Sequence, residues 1–384
     1  MKTVCVGMSG GVDSSVAGLL LKEQGYRVVG VYMKNWSKDL PGMKCPWAED
    51  LADAKRVAVK LGIDFEVWDF EKEYFEKVVE YMLKEFRAGN TPNPDIMCNQ
   101  EIKFKLFYEK AMEAGADYIA TGHYARVEHS GPKLLRAVDE NKDQTYFLYR
   151  MSDEALKHTL FPIGERRKPE VKKLAAENGL HNAYKKESMG VCFVGEVGMK
   201  DFLKEYIDVE PGEIREIESD RVLGYHEGAV FYTIGQRHGL YLDGEKGVVN
   251  DGMPYYVVKK DVKKNIVYVS KNLNHEAIWT KELKLKELFL RQFEHIVSGD
   301  GSLAPVVTGL APSSSVATSG SPRAKCSQLP LQLVSVRLRH RAPLIPATFD
   351  GEVLHFESEI KRPASGQSAV LYNGEVCLGG GIIV

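Results

Sequence analysis

The chain has 384 residues, 44% hydrophobic and 27% charged, with a formal net charge of −2. That length and balance describe a soluble protein of two or three domains with a core large enough to fold without staples, and they exclude a polycation that binds nucleic acid over its whole surface. Six irregularly spaced cysteines do not make a secreted disulfide framework. No apolar run reaches membrane-spanning length, and the start Met1-Lys2-Thr3-Val4 lacks the apolar stretch of a signal peptide. A cytoplasmic monomer with no membrane partner is expected.

In chain order, the apolar run 3–8 predicts a strand, 14–24 a helix closed by Gly25, and 27–33 a valine-rich strand. A helix over 47–61 stops at Gly62, a strand covers 63–69, helices cover 71–87 and 101–114, and a strand covers 118–121. Such alternation predicts an α/β fold, a parallel sheet covered on both faces, with ligands where strand C-termini meet helix N-termini. Beyond Gly198 short β-branched runs alternate with glycines and long helices disappear. Segments 255–259 and 266–270 read as hairpin partners, and 334–384 is again strand-like. The expected division is an α/β domain over 1–198, a small β-rich domain over 199–274 and a C-terminal β domain over 275–384. Within the last, 298–332 is rich in Ser, Pro, Ala and Gly and lacks either periodicity. It reads as a disordered insertion, although a local frameshift would leave the same trace.

The strongest motif is Gly7-Met8-Ser9-Gly10-Gly11-Val12-Asp13-Ser14-Ser15, which follows the first strand and opens the first helix. Adjacent glycines bring backbone N–H groups against a ligand, and the helix N-terminus adds donors and a positive dipole end. A polyphosphate fits there, with Asp13 placed to hold Mg2+. The loop is neither a Walker A motif nor a dinucleotide fingerprint. Ser-Gly-Gly-x-Asp-Ser resembles the pyrophosphate loop of N-type ATP pyrophosphatases, which form adenylates from ATP.

Cys98 lies in Thr91-Pro92-Asn93-Pro94-Asp95-Ile96-Met97-Cys98-Asn99, where Asn99 can cap a following helix and favour a thiolate at its N-terminus. Asp95 could take or orient a proton. Cys192 lies between glycines in Gly190-Val191-Cys192-Phe193-Val194-Gly195. A buried inert thiol is the commoner fate of each. Neither forms a Cys-x-x-Cys pair, so no metal site of that type is expected; Asp95, Cys98 and Cys192 together would nevertheless suit an iron–sulfur cluster. Two reactive cysteines suit sulfur transfer, one carrying a persulfide and the other releasing it and leaving a disulfide, while adenylation turns a carbonyl oxygen into a leaving group. Any nucleic-acid surface must be local, and 166–168 with 172–173, 185–186, and Arg337, Arg339 and Arg341 are the basic candidates.

Together these residues resemble the tRNA-specific 2-thiouridylases of the MnmA type. Further motifs carry the match: Tyr32-Met33-Lys34-Asn35-Trp36, Thr121-Gly122-His123-Tyr124, Asn141-Lys142-Asp143-Gln144-Thr145, Thr233-Ile234-Gly235-Gln236-Arg237 and the closing 366–381. The resemblance implies a nucleotide alpha hydrolase-like (PP-loop) domain, a central β domain and a C-terminal β-barrel. It implies ATP at Gly7, Met8, Ser9, Gly10, Gly11, Val12, Asp13 and Ser14 with Met33 and Gly122. Cys98 becomes the catalytic thiol, Cys192 the persulfide carrier and Asp95 an acid/base. The target wobble uridine would meet Asn93, Pro94 and Asp95, and the tRNA would touch His123, Lys142, Asp143, Gln144, Arg339, His340 and Gln367. A cysteine desulfurase or sulfur-relay protein would be the donor. His340 stands where the family has tyrosine. Two other classes fit parts of the chain: an amidating PP-loop enzyme with another acceptor, and a non-catalytic RNA-binding protein with a vestigial ATP loop.

Overall fold

The computed structural model describes residues 1–39, 45–186, 198–240, 242, 253–291 and 332–384. The N-terminal sheet contains β1 (Thr3–Gly7), β2 (Arg27–Lys34), β3 (Asp64–Asp69) and β4 (Tyr118–Thr121). After the short hairpin β5 (Arg126–Glu128) and β6 (Lys133–Leu135), β7 (Thr159–Leu160) completes a parallel sheet of order β3-β2-β1-β4-β7. Alternation along β1 explains why the run is apolar throughout: Val4 and Val6 pack into one helical layer, Cys5 into the other. Crossover helices Val12–Glu23 and Trp47–Leu61 cover one face.

The central domain is a sheet of order β10-β11-β8-β9, built from β8 (Gly212–Glu216), β9 (Val222–His226), β10 (Tyr256–Asp261) and β11 (Ile266–Ser270). The expected hairpin is there, with Asn265 at positive φ in its turn. The C-terminal strands are β12 (Trp279–Leu290), β13 (Gln332–Arg337), β14 (Ile345–Phe349), β15 (Val353–Lys361), β16 (Ser368–Asn373) and β17 (Val376–Ile383). Their order β12-β15-β14-β13-β16-β17, closed by β12 against β17, is a six-stranded barrel. The β5–β6 hairpin of the first domain pairs with the start of β17, so the two domains share a sheet.

Two sequence expectations change. The helix expected at 101–114 starts at Pro94, runs through wide π-type turns over Cys98–Leu106 and ends at Glu113. Its cap is Asn93, whose side chain accepts the Asp95 N–H at 3.1 Å; Asn99 lies inside and donates to the Phe147 carbonyl. The proposed insertion 298–332 lies outside the described residues except for Gln332, which opens β13. Among the described residues no helix is long and apolar enough to cross a membrane.

Candidate active site

The loop after β1 makes an open cradle. Gly10 turns at φ +75°, and Gly11 caps the helix Val12–Glu23 without a side-chain hydrogen bond, so the first helical N–H groups face outward. Ser14 Oγ organises the loop: it accepts the Ser9 N–H at 3.2 Å and donates to the Gly11 carbonyl at 3.1 Å. Met8 and Val12 are buried, so only their backbone can serve a ligand. Met33 on β2 lies over Gly7, where an added Cβ would come 2.8 Å from its methyl. Gly122, just past β4, approaches so closely that a Cβ there would sit 2.5 Å from Ser14 N. Such contact leaves no room for any other residue.

Asp13 is engaged by residues that local sequence does not connect to it. Lys168 Nζ donates to both its carboxylate oxygens at 2.7 Å, and the Tyr124 hydroxyl donates to Oδ1 at 3.0 Å. Asn182 Nδ2 donates to the Gly10 carbonyl and to Ser15 Oγ, both at 2.9 Å. Lys185 bridges Asp50 and Asp53 at 2.7 and 2.6 Å. Lys168 and Lys185 belong to runs read in the sequence as candidate nucleic-acid surfaces; both side chains instead serve buried or half-buried carboxylates around the cradle.

Cys98 is buried one turn inside its helix, not in the first turn as expected. Asp95, on the preceding turn, has its carboxyl pushed above the usual range by burial, against which Lys103 pulls. A raised pKa suits a group that must carry a proton near neutrality. The cradle and the thiol helix meet at the end of β4: Gly122 abuts Ser14, while the His123 ring packs on Phe104 of the Cys98 helix at 5.7 Å. His123 also shares its Nδ1 with Thr121 Oγ1 at 2.8 Å, and burial, with Lys103 nearby, holds it neutral far below its ordinary pKa. Any RNA contact it makes is therefore as a neutral ring.

The other RNA-contact candidates divide. Arg339 is exposed and Lys142 half-buried. Gln144 is engaged at the β4 end, its Oε1 accepting the Tyr124 N–H at 2.9 Å. Asp143 corrects the expectation: its side chain is fully buried, paired with Arg337 at 2.6 Å and accepting from Thr145. Desolvation of that carboxylate is offset inside the protein, so it holds the first domain to the barrel and does not reach RNA. Arg337 leaves the list of exposed basic residues with it. His340 packs on Phe147, ring centroids 4.6 Å apart and tilted by 43°, its pKa lowered to about 4 by burial and then by Arg341 and Arg337. Gln367 donates to the Thr91 carbonyl at 2.7 Å. Cys192 and the Gly190 to Gly195 motif lie outside the described residues, and with them the convergence of the two thiols and the iron–sulfur alternative.

Comparison with known proteins covers all three domains. Family models match residues 2–196 (tRNA methyl transferase HUP domain), 200–271 (tRNA methyl transferase PRC-barrel domain) and 323–383 (Aminomethyltransferase beta-barrel domain). A tRNA-specific 2-thiouridylase MnmA from Idiomarina loihiensis is 44% identical over 385 residues, spanning 100% of this chain and 96% of that protein. Proteins of the same name from Geobacillus kaustophilus (MnmA 2) and Bacillus subtilis are 43% and 42% identical, each across 99% of this chain and 94% of the relative. With a family model over half of its length and such identity from end to end, this chain belongs to the MnmA family of tRNA-specific 2-thiouridylases.

Proposed function

We propose that the protein adenylates the C2 carbonyl of the wobble uridine in tRNA and replaces its oxygen with sulfur from a cysteine persulfide. The observation that supports this best is the joint at Gly122 and His123, where one strand end touches both the phosphate cradle and the helix bearing Cys98. Adenylation and thiol chemistry are thereby made neighbours.

ATP lies with its phosphates on the N–H groups of residues 10–14, and the uridine O2 attacks the inner phosphate, releasing pyrophosphate. Asp13 would hold Mg2+ against the phosphates in exchange for the Lys168 ammonium that now neutralises it. The displaced Lys168 ammonium would share the phosphate charge. The terminal sulfur of a Cys192 persulfide attacks C2 and AMP departs. Cys98 thiolate next attacks the Cys192 sulfur, freeing the thiocarbonyl and leaving a Cys98–Cys192 disulfide for an external thiol to reduce. Asp95 supplies or removes a proton at this centre, beside the base held by Asn93 and Pro94. Arg339, Lys142, Gln144, His123 and His340 are proposed to line the RNA-facing side, and a persulfide-bearing sulfurtransferase to load Cys192.

The test is thiolation of unmodified tRNA by the purified protein with ATP, Mg2+ and a sulfur donor, read as retardation on a mercury-containing gel. Retardation and tRNA-dependent pyrophosphate release are expected, and Cys98→Ser should lower the rate on the order of 10^4-fold, as loss of a nucleophile does. Pyrophosphate release indifferent to tRNA would move the assignment to an amidating PP-loop enzyme. Full activity in Cys98→Ser would strip that residue of its role.

A further inference from the structure

The segment leading to Cys98 is gripped from the barrel. Thr91 N–H donates to the Ser365 carbonyl at 2.8 Å, and the Thr91 carbonyl accepts from Gln367 Nε2 at 2.7 Å. A Cβ on Gly366 would come 3.0 Å from Thr91 N, so the barrel turn lies against this backbone at the closest possible range. The central domain reaches the same residue, with Thr233 Oγ1 3.3 Å from Thr91 Oγ1.

A buried relay continues from there. Ser368, the first residue of β16, offers its carbonyl to the Tyr146 hydroxyl at 3.1 Å. The helix Thr145–Leu148 that carries Tyr146 packs against the turn Pro94–Met97, whose cap Asn93 accepts the Asp95 N–H on its Oδ1. Tyr146 is 1% exposed and Ser368 3%. In such a place each hydroxyl or carbonyl left unmatched costs more than the bond itself contributes. The buried path thus runs from the barrel through the Tyr146 hydroxyl, and then by packing, to the turn bearing Asp95 and, three residues on, Cys98.

We infer that Tyr146 and Gln367 are positioning residues: they tie the barrel to the Asp95–Cys98 turn, so that a docked barrel holds this turn in register for the reaction. The inference rests on the thiolation reading for its catalytic consequence, but the mechanical link stands apart from it. Gln367, expected to contact RNA, is by this reading occupied with the protein's own backbone. Neither side chain needs to touch substrate. Small misplacements of a reacting group lower rates steeply while leaving substrate binding nearly intact.

The test uses the full chain with Tyr146→Phe and Gln367→Leu. Two readouts are needed: amide hydrogen exchange over residues 90–99 and over the cradle, and kcat and KM for tRNA thiolation. Both variants should speed exchange over 90–99 by about tenfold with the cradle unchanged, as local opening without global unfolding does. The value of kcat should fall by about 10- to 100-fold with both KM values nearly constant. Unchanged exchange over 90–99, or faster exchange with kcat intact, overturns the inference. A higher KM for tRNA at constant kcat in Gln367→Leu also overturns it and returns that side chain to RNA binding. Should Tyr146→Phe fail to fold, the half-exposed Gln367 site decides alone. A wild type that thiolates no tRNA sinks the proposed function, while exchange still reads the link.

Discussion

The phosphate cradle and the thiol turn are built in opposite ways. The cradle is backbone, consecutive residues between one strand and one helix shaped by glycines, and the distant side chains that brace it, Lys168 and Asn182 among them, belong to its own domain. The thiol turn is held by side chains from elsewhere, among them Tyr146, Gln367 and Thr233, with the barrel contributing at two successive residues. A backbone site of this kind survives the loss of a distant domain. A site held by long-range side chains reports whether the other domains are in place, which suits a reaction that should run only on a large docked substrate.

Breaking the long-range side should leave the local side alone. The largest effect is expected for Arg337→Met. It leaves the Asp143 carboxylate with Arg136, at 3.6 Å, as its remaining charge partner, in a place where the Asp143 and Arg337 side chains are 0% and 4% exposed, beside the helix Thr145–Leu148 that carries Tyr146. Loss of one partner of a buried pair costs about 3–5 kcal/mol. Chemical denaturation should show it, and adding Asp143→Leu should restore much of the loss by removing the stranded charge. ATP affinity measured by calorimetry should stay put. A stability change under about 1 kcal/mol would mean that Asp143 is not the buried strut described above.

The converse is Gly122→Ala. Its Cβ would meet Ser14 N at 2.5 Å and the Asp13 carbonyl carbon at 2.6 Å, backbone that cannot step aside. Overpacking of this kind costs about 1–3 kcal/mol, and the displaced helix start should cut ATP affinity without altering exchange over 90–99. An ATP affinity equal to wild type would show that the cradle tolerates the shift. Smaller again is Lys168→Met, which removes the cation from Asp13 but leaves the Tyr124 hydroxyl on it. The KM for ATP should rise about tenfold, equivalent to about 1.4 kcal/mol, with little change in KM for tRNA. An unchanged KM for ATP would confine Lys168 to a structural pairing.

What could be read beforehand follows the same division. The cradle was legible because its chemistry is contiguous, and the parallel sheet because its strands alternate with helices and β1, β2 and β4 are apolar on both faces. The helix start was misplaced because Asn93 and Asn99 have the same capping chemistry; the proline after Asn93, favoured at the first helical position, is the signal that distinguishes them. Lys168, Lys185 and Arg337 looked like surface cations because their carboxylate partners lie 155, 132 and 194 residues away. No local window contains both halves of such a pair. The barrel's claim on the β5–β6 hairpin was hidden for the same reason, since a strand edge finds its partner only in the folded chain.

The weakest lever is pH, and it acts at the seam between the two regions. His340 packs on Phe147, with its pKa lowered to about 4 by burial first and then by Arg341, Arg337 and Lys142, while Asp143 opposes. An unfolded histidine titrates near 6.5, so this depressed group binds its proton more readily unfolded than folded. Its contribution is complete above about pH 6.5 and is lost as pH falls towards 4. His123 and His226 are depressed as well and add to the same acid slope. His340→Phe keeps a ring against Phe147 but cannot titrate. Between pH 7 and 5.5 it should therefore lose about 1 kcal/mol less stability than wild type. The two proteins would be compared by denaturant titration at each pH. Equal losses would place the His340 ring in water, and with it the edge of the seam that joins the barrel to the thiol turn.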